Sequence, residues 1–263
     1  MLMNIFGLPN LGNTCYLNSA VQFLLLNPQF QHIENIHLNN QNIKNIKKIL
    51  SNISPRFKLF HQQDAGEALL LLLEHYNKLF NSNLYQFKET TRVKCKLIKC
   101  LHHEYSYRKS DALLLNLPQN ITPNTKLTLD DLYRTIKDAT KLQGEEAWLC
   151  PKCKIKSVAS KRYYFDEWNQ YLIVGLKRFE YRGTRYVKNN TKIDIPFVWR
   201  HNYKLIGAII HSGNINGGHY VAVGFKNNKW YLFNDNNVTE ITHLHVLKQF
   251  LSNGYYYLYK IDN

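Results

Sequence analysis

The sequence has no apolar run long enough to span a bilayer. Its longest aliphatic stretch, residues 68–73, falls far short of the roughly 18 residues a membrane helix needs. It lacks a charged leader followed by an apolar segment, so Met1-Leu2-Met3-Asn4-Ile5-Phe6 does not read as a secretory signal. It has no run of five or six like charges, no internal repeat and no low-complexity tail. It is poor in acids, with 19 Asp+Glu against 34 Lys+Arg over 263 residues, a formal charge of +15. Glu34 is the only acid in residues 1–60. The length excludes a disulfide-dependent miniprotein. The 44% hydrophobic and 13% aromatic content excludes a disordered chain. The sequence therefore predicts an intracellular globular protein of cytoplasm or nucleus, not secreted and not membrane-bound, and a monomer.

A strongly basic balance points to nucleic acid or acidic partners. No recognition helix or base-stacking motif accompanies it, and the excess follows a bias toward Lys, Asn and Ile that is plain in 39–48. Nucleic acid is thus a partner suggested by charge and supported by no motif.

Five cysteines, Cys15, Cys95, Cys100, Cys150 and Cys153, make an odd set unsuited to a disulfide framework. Cys150-Pro-Lys-Cys153 has a two-residue gap, and Cys100-Leu-His-His103 repeats that gap with an imidazole in the fourth place. Three thiolates and one imidazole can close a tetrahedral structural zinc site, one pair on each of two hairpin knuckles. His102 in place of His103, or Cys95 as a substitute ligand, are alternatives of the same chemistry. His102-His103-Glu104 followed by Cys-Pro-x-Cys has some likeness to the nucleobase deaminase signature. Its proline stands on the wrong side of the first cysteine, and Tyr105-Ser106-Tyr107 reads as a strand, not a helix.

Cys15 stands apart. Apolar residues at 17, 20, 21, 24 and 25 mark one helical face, and Gly12-Asn13-Thr14 is a loop ending in an N-cap candidate. Cys15 then lies in the first helical turn, where free N–H groups and the helix dipole favour a thiolate. A catalytic thiol needs a base. His219 is the best placed of the histidines, opening a strand after Gly217-Gly218 in the segment 213–220, which joins apolar strands 205–210 and 220–225. Asn227-Asn228 signals a hairpin whose second strand ends at Asn234-Asp235. A polar side chain there could bond the Nδ1–H of His219, giving a triad of Cys15, His219 and Asn234, with Asp235 as the alternative orienter.

In these segments the sequence resembles the ubiquitin-specific protease family of cysteine deubiquitinases. Gly7-Leu-Pro-Asn10-Leu-Gly-Asn13-Thr-Cys15-Tyr-Leu-Asn18-Ser is similar to its cysteine box, and Gln62-Gln63-Asp64-Ala65-Gly66-Glu67-Ala68-Leu69 to its Gln-Gln-Asp block. Residues 144–153 resemble its second zinc knuckle and Leu176-Lys-Arg-Phe179 the strand after it. Gly217-Gly-His219-Tyr220-Val and Trp230-Tyr-Leu-Phe233-Asn234-Asp235 resemble its histidine box, and residues 255–259 its last strand. The blocks occur in family order over nearly the whole chain.

The resemblance implies an α+β, papain-like fold of helical thumb (1–84), mainly zinc-bearing fingers (85–168) and β-rich palm (169–263), together one catalytic domain, with ubiquitin's body resting on the fingers. It implies Cys15 as nucleophile, His219 as general base, Asn234 as third triad member and Asn10 as oxyanion donor. It sets Gln62, Gln63 and Asp64 near the ubiquitin tail, and Cys100, His103, Cys150 and Cys153 around a structural zinc ion. His103 stands where the family usually has cysteine, Ala68 replaces a usual Phe, and the thumb between 28 and 60 is short and Asn-rich. The alternatives are a catalytically silent ubiquitin-binding relative and a basic zinc protein that binds nucleic acid. Helices are expected near 15–26, 40–50 and 63–80. A capping box at Thr128-Leu-Asp-Asp131 should start a helix to about 137. Strands are expected at 161–166, 170–179, 204–211, 219–226, 229–234 and 254–261.

Overall fold

The computed structural model describes residues 4–33, 40–58, 61–118, 125–182, 185–214 and 217–261; parts of the Asn-rich 28–60 segment (34–39 and 59–60) and residues 215–216 of the histidine loop lie outside them. Five α-helices are described: α1 Cys15–Leu24, α2 Asn40–Ile53, α3 Ala65–Phe80, α4 Leu129–Lys137 and α5 Leu244–Ser252. The longer strands are β1 Phe87–Cys95, β2 His103–Ser110, β3 Ala112–Asn116, β4 Thr140–Leu142, β5 Ala159–Asp166, β6 Tyr171–Lys177, β7 Tyr203–Asn214, β8 Gly217–Lys226, β9 Lys229–Asn234, β10 Asn237–Glu240 and β11 Gly254–Lys260. Helices come first and mostly antiparallel strands later, the α+β arrangement expected from the sequence.

Seven of these strands form the large sheet in the order β10-β9-β8-β7-β11-β6-β3, antiparallel except for the parallel β3–β6 pair. The chain's last strand is therefore central, inserted between β7 and β6. Its tyrosines divide by the two-residue period of a strand. Tyr256 and Leu258 pack with α1 and α3 in one core, and Tyr257 and Tyr259 with α4 and α5 in the other. A strand buried on both faces needs apolar bulk at every position, which accounts for Tyr255-Tyr256-Tyr257-Leu258-Tyr259. The hydroxyls still need acceptors: Tyr257 donates to the Leu251 carbonyl at 2.7 Å and Tyr259 to the Pro196 carbonyl at 2.9 Å. Arg178, 2% exposed, donates to the carbonyls of Asn189, Thr191, Ser252 and Gly254, tying the entry of β11 to the β6 side.

α1 is buried along its entire length, a consequence of lying between α3 and the large sheet. Of its polar side chains, Ser19 donates to the Tyr16 carbonyl and Gln22 to the Phe6 carbonyl at 2.7 Å, whereas Tyr16 Oη, Asn18 Oδ1 and Gln22 Oε1 are buried without a partner among the described residues. α3 begins on an N-cap in which the Asp64 carboxylate accepts from the Glu67 N–H at 2.8 Å, and it ends with left-handed Asn81. The capping box is present at α4, with Thr128 and Asp131 exchanging bonds. α5 is the helix the sequence reading did not anticipate. It buries only Leu247 and Leu251, a stripe of two too short to stand out by periodicity.

A second, four-stranded sheet, β2-β1-β5-β4, projects from the large one. At its base Phe87 stacks on Trp168 and Phe165 meets Tyr133 of α4. At its far end lie four of the five cysteines. β3, although it follows β2 directly, belongs to the large sheet. No helix among the described residues is long and apolar enough to cross a membrane.

Candidate active site

Cys15 is the first residue of α1. The preceding loop turns through left-handed Gly12 (φ 90°) and Asn13 (φ 54°). Thr14 occupies the N-cap position but makes no capping bond with its side chain. Its hydroxyl accepts from the Leu11 N–H and donates to Asn10 Oδ1, holding the loop closed instead. Burial pushes the Cys15 thiol above its ordinary pKa, helped by the Asp235 carboxylate. Backbone hydrogen bonds from Tyr220, Tyr16 and Cys15 itself oppose this. The helix-start effect expected from the sequence is present, but desolvation outweighs it and the resting thiol is neutral.

The Tyr220 bond brings the thiol to the residue that follows His219. His219 is not at a strand opening: β7 and β8 extend through Asn214 and from Gly217, so His219 lies within the ladder, opposite Ser212. Its side chain is 43% exposed. Its Nε2 lies 2.6 Å from Asn234 Oδ1 and 4.0 Å from Asp235 Oδ2. Asn234 is therefore the histidine's partner, and the nitrogen involved is Nε2, not the Nδ1 expected. Nδ1 is left for other chemistry.

Asp235 faces the cysteine loop. The β9–β10 turn holds it in the left-handed region (φ 50°), which turns the carboxylate back toward the N-terminal segment. Oδ2 accepts from Asn10 Nδ2 at 2.8 Å and Oδ1 from Asn18 Nδ2 at 2.7 Å, while the Asp235 carbonyl accepts from the Leu8 N–H at 2.8 Å. Asn10 Oδ1 accepts from the N–H groups of Gly12 and Thr14, so the amide is held at both ends. Gly7 makes the approach feasible, because any Cβ there would collide with the Asn236 backbone. Asn18 was not singled out as a site residue in the sequence; its place in the segment similar to the cysteine box, one turn after Cys15, was the available signal.

A cleft of about 360 Å³ adjoins these residues, lined by Arg56, Gln62, Gln63, Asp64, Phe179, His211, Asn214 and Tyr220. Gln62 exchanges two hydrogen bonds with Gly218, its Nε2 donating at 2.8 Å and its Oε1 accepting at 3.0 Å, and so joins the segment before α3 to the strand of His219. Gln63 donates to the Arg56 carbonyl at 3.2 Å. Asp64 lines the cleft with both oxygens engaged, one as the α3 cap and one accepting from Tyr255 at 2.8 Å. His211, opposite Tyr220, is buried with its Nδ1 unpartnered among the described residues. Burial, Lys188 and His219 push its pKa down to about 4, so it is neutral at pH 7.

The candidate metal ligands converge differently from expectation. The four sulfurs of Cys95, Cys100, Cys150 and Cys153 lie within 4.8 Å of one another, Cys100 and Cys150 at 3.6 Å. His103 is not among them; Cys95 takes its place. The reason is strand parity. His103 pairs with Lys94 in the β1–β2 ladder and shares its face, whereas Cys95, the next residue, faces the other side. His103 packs edge-on against Tyr105, and His102 stacks against Trp148. A tetrahedral metal with bonds of about 2.3 Å to sulfur sets sulfurs about 3.8 Å apart, so the cluster fits such an ion. Backbone hydrogen bonds at Leu97, Cys153 and Ile155 serve the sulfurs of Cys95, Cys150 and Cys153 respectively. Left-handed Leu101 and Lys154 close the two knuckles.

Comparison with known proteins gives the family and the fold. The family model described as "Ubiquitin carboxyl-terminal hydrolase" matches residues 6–45 and 37–259. The chain is similar to Ubiquitin carboxyl-terminal hydrolase 5 of Saccharomyces cerevisiae, 23% identical over 351 aligned residues that cover 90% of this chain and 42% of that protein. It is similar to Ubiquitin carboxyl-terminal hydrolase 3 of Homo sapiens, 24% identical, with 89% of this chain and 64% of that protein covered. The chain thus spans about half the length of these two relatives. Among solved structures, a chain of the SAGA DUB module of Ubp8, Sgf11, Sus1 and Sgf73 bound to monoubiquitin superimposes with a TM-score of 0.80 at 20% identity, covering 98% of this chain and 69% of that one.

Proposed function

Since the chain belongs to the ubiquitin carboxyl-terminal hydrolase family, we propose that it is a thiol-dependent deubiquitinase, cleaving the bond after the C-terminal glycine of ubiquitin through a thioester on Cys15. The observation that carries this reading is one junction. The loop that presents Cys15 and the turn that presents Asn234 are bonded to each other through Asn10 and Asp235.

The chemistry follows from these groups. As the substrate carbonyl arrives, His219 takes the thiol proton on Nδ1, while Asn234 holds Nε2 and fixes the ring's orientation. The sulfur attacks, a C–S bond forms and the carbonyl electron pair moves to oxygen. The Cys15 N–H at the start of α1 and the second N–H of the Asn10 amide stabilise that oxyanion. Collapse breaks the C–N bond, with His219 returning its proton to the leaving lysine amine. Water, deprotonated by the same imidazole, then hydrolyses the thioester. An asparagine as orienter adds no charge beside the imidazolium. The cleft of Gln62, Gln63 and Asp64 would take the extended tail. That requires the Gln62–Gly218 pair to open or to be spanned. Zinc on Cys95, Cys100, Cys150 and Cys153 would be structural, clamping the two knuckles.

Ubiquitin carrying a C-terminal electrophile tests the reading. A covalent adduct is expected with the wild-type chain and none with Cys15→Ala. No adduct, or one that survives Cys15→Ala, overturns it.

A further inference from the structure

β1 runs in unbroken register with β2 on one side and β5 on the other, so residues directly opposite share a face. The two faces of this sheet differ in chemistry. One carries Phe87, Phe165 and buried Glu89, and is packed at its base on Trp168 and Tyr133. The other carries four cross-strand rows. From base to tip they are Lys109–Lys88–Asp166, Tyr107–Thr90–Tyr164, Tyr105–Arg92–Arg162 and, continuing onto β4, His103–Lys94–Ser160–Lys141.

Asp166 is the only carboxylate in those rows, beside six cations. Lys88 is offset by an ion pair with Glu167 at 2.9 Å. Among the described residues, Lys94, Lys109, Lys141 and Arg162 form no ion pair. Arg92 lies over the Tyr164 ring with its buried Nε unpartnered. Tyr105 and Tyr107 are 46% and 63% exposed as residues, and their rings lie nearly parallel on an edge strand.

We propose that this face binds single-stranded nucleic acid, its cations on the phosphates and the two exposed tyrosines stacking on bases. Charge complementarity requires an anionic partner, since the face offers almost no acid to a basic one. The tyrosines decide which anion. An acidic peptide needs the cations alone, whereas flat exposed rings between cations on a β-sheet are a stacking platform. Same-face residues recur about every 6.8 Å along a strand and strands lie about 4.8 Å apart, so successive nucleotides can meet successive rows. Neither Cys15 nor His219 lies on this sheet, so nucleic acid held here would not need the catalytic cleft. It would hold the enzyme where its conjugated substrates sit on nucleic acid.

Fluorescence anisotropy of a labelled single-stranded DNA 20-mer, with the full zinc-loaded chain, reads the proposal. The exposed triple reversal Lys109→Glu/Lys141→Glu/Arg162→Glu should weaken binding at least tenfold at 100 mM salt. It should also reduce the slope of log K against log salt by about two. Tyr105→Ala/Tyr107→Ala should weaken binding about tenfold or more with the slope unchanged. A charge-matched control, Lys44→Glu/Lys48→Glu/Lys248→Glu, should bind nearly as the wild type. Melting by circular dichroism verifies that each variant folds. The proposal is overturned by no binding at 50 mM salt, or by equal loss in the control. Polyglutamate bound as tightly, with the tyrosine variant unaffected, overturns it in favour of an acidic peptide. A raised KM for a fluorogenic ubiquitin substrate in the triple reversal, without DNA, overturns it in favour of a ubiquitin-contacting face.

Discussion

Asn10 and Asp235, 225 residues apart in sequence, are joined by a 2.8 Å hydrogen bond from Nδ2 to Oδ2. The bond spans from the loop before the candidate nucleophile to the turn after the candidate orienter, and the same carboxylate holds Asn18. In the proposed mechanism this sets Asp235 on the oxyanion side of the site, 4.0 Å from the histidine that Asn234 contacts at 2.6 Å. Asp235→Ala should release the Asn10 amide. The expected loss in kcat is about 10²-fold, with KM for a ubiquitin substrate changed far less. A rise in KM alone would contradict this assignment.

Asn234→Ala should misorient His219 and lower kcat by about 10²-fold, while Asn234→Asp, which keeps an acceptor at the same place, should retain most activity. Steady-state kinetics of the two variants, side by side, separates orientation from packing.

His211 gives the protein an acid sensitivity. Its folded pKa of about 4 lies below the ordinary 6.5, so the unfolded chain binds the proton first. The resulting stability is complete above pH 6.5 and is lost as pH falls toward 4. Wild type should lose on the order of 5 °C more in Tm between pH 7 and pH 4 than His211→Phe loses over the same range. Parallel melting curves for the two proteins would refute this.

Metal content distinguishes the two ligand sets. Cys95→Ser should lower bound zinc well below one ion per chain, and His103→Ala should leave it unchanged. Loss of zinc on His103→Ala would restore the three-thiolate, one-imidazole set.

Gly7→Ala forces a methyl group into the Asn236 backbone. A stability loss of about 1–3 kcal/mol is expected by denaturant titration. Activity should fall more steeply than the loss of folded protein, because the turn that carries Asp235 must shift.

The α+β order and several of its elements were legible in short segments: the helix start at Cys15, the Asn227-Asn228 turn with both residues left-handed, and the α4 capping box. These are local properties, set by capping, turn chemistry and hydrophobic period, and they read directly from neighbouring residues. The fourth cysteine was not, because a repeated two-residue gap favoured His103 while strand parity brought Cys95 to the cluster. Nor was the division of labour between Asn234 and Asp235. Adjacent residues look equivalent in sequence until a left-handed turn aims one at the histidine and the other at the cysteine loop.

The +15 charge divides in the same way. Sequence determined its size and the near absence of acids in residues 1–60. Only the pairing of β2, β1, β5 and β4 decided that cations dispersed along residues 88–162 share one face. Side-chain direction alternates along a strand, but which strands lie together, and in what register, is set by contacts between distant parts of the chain.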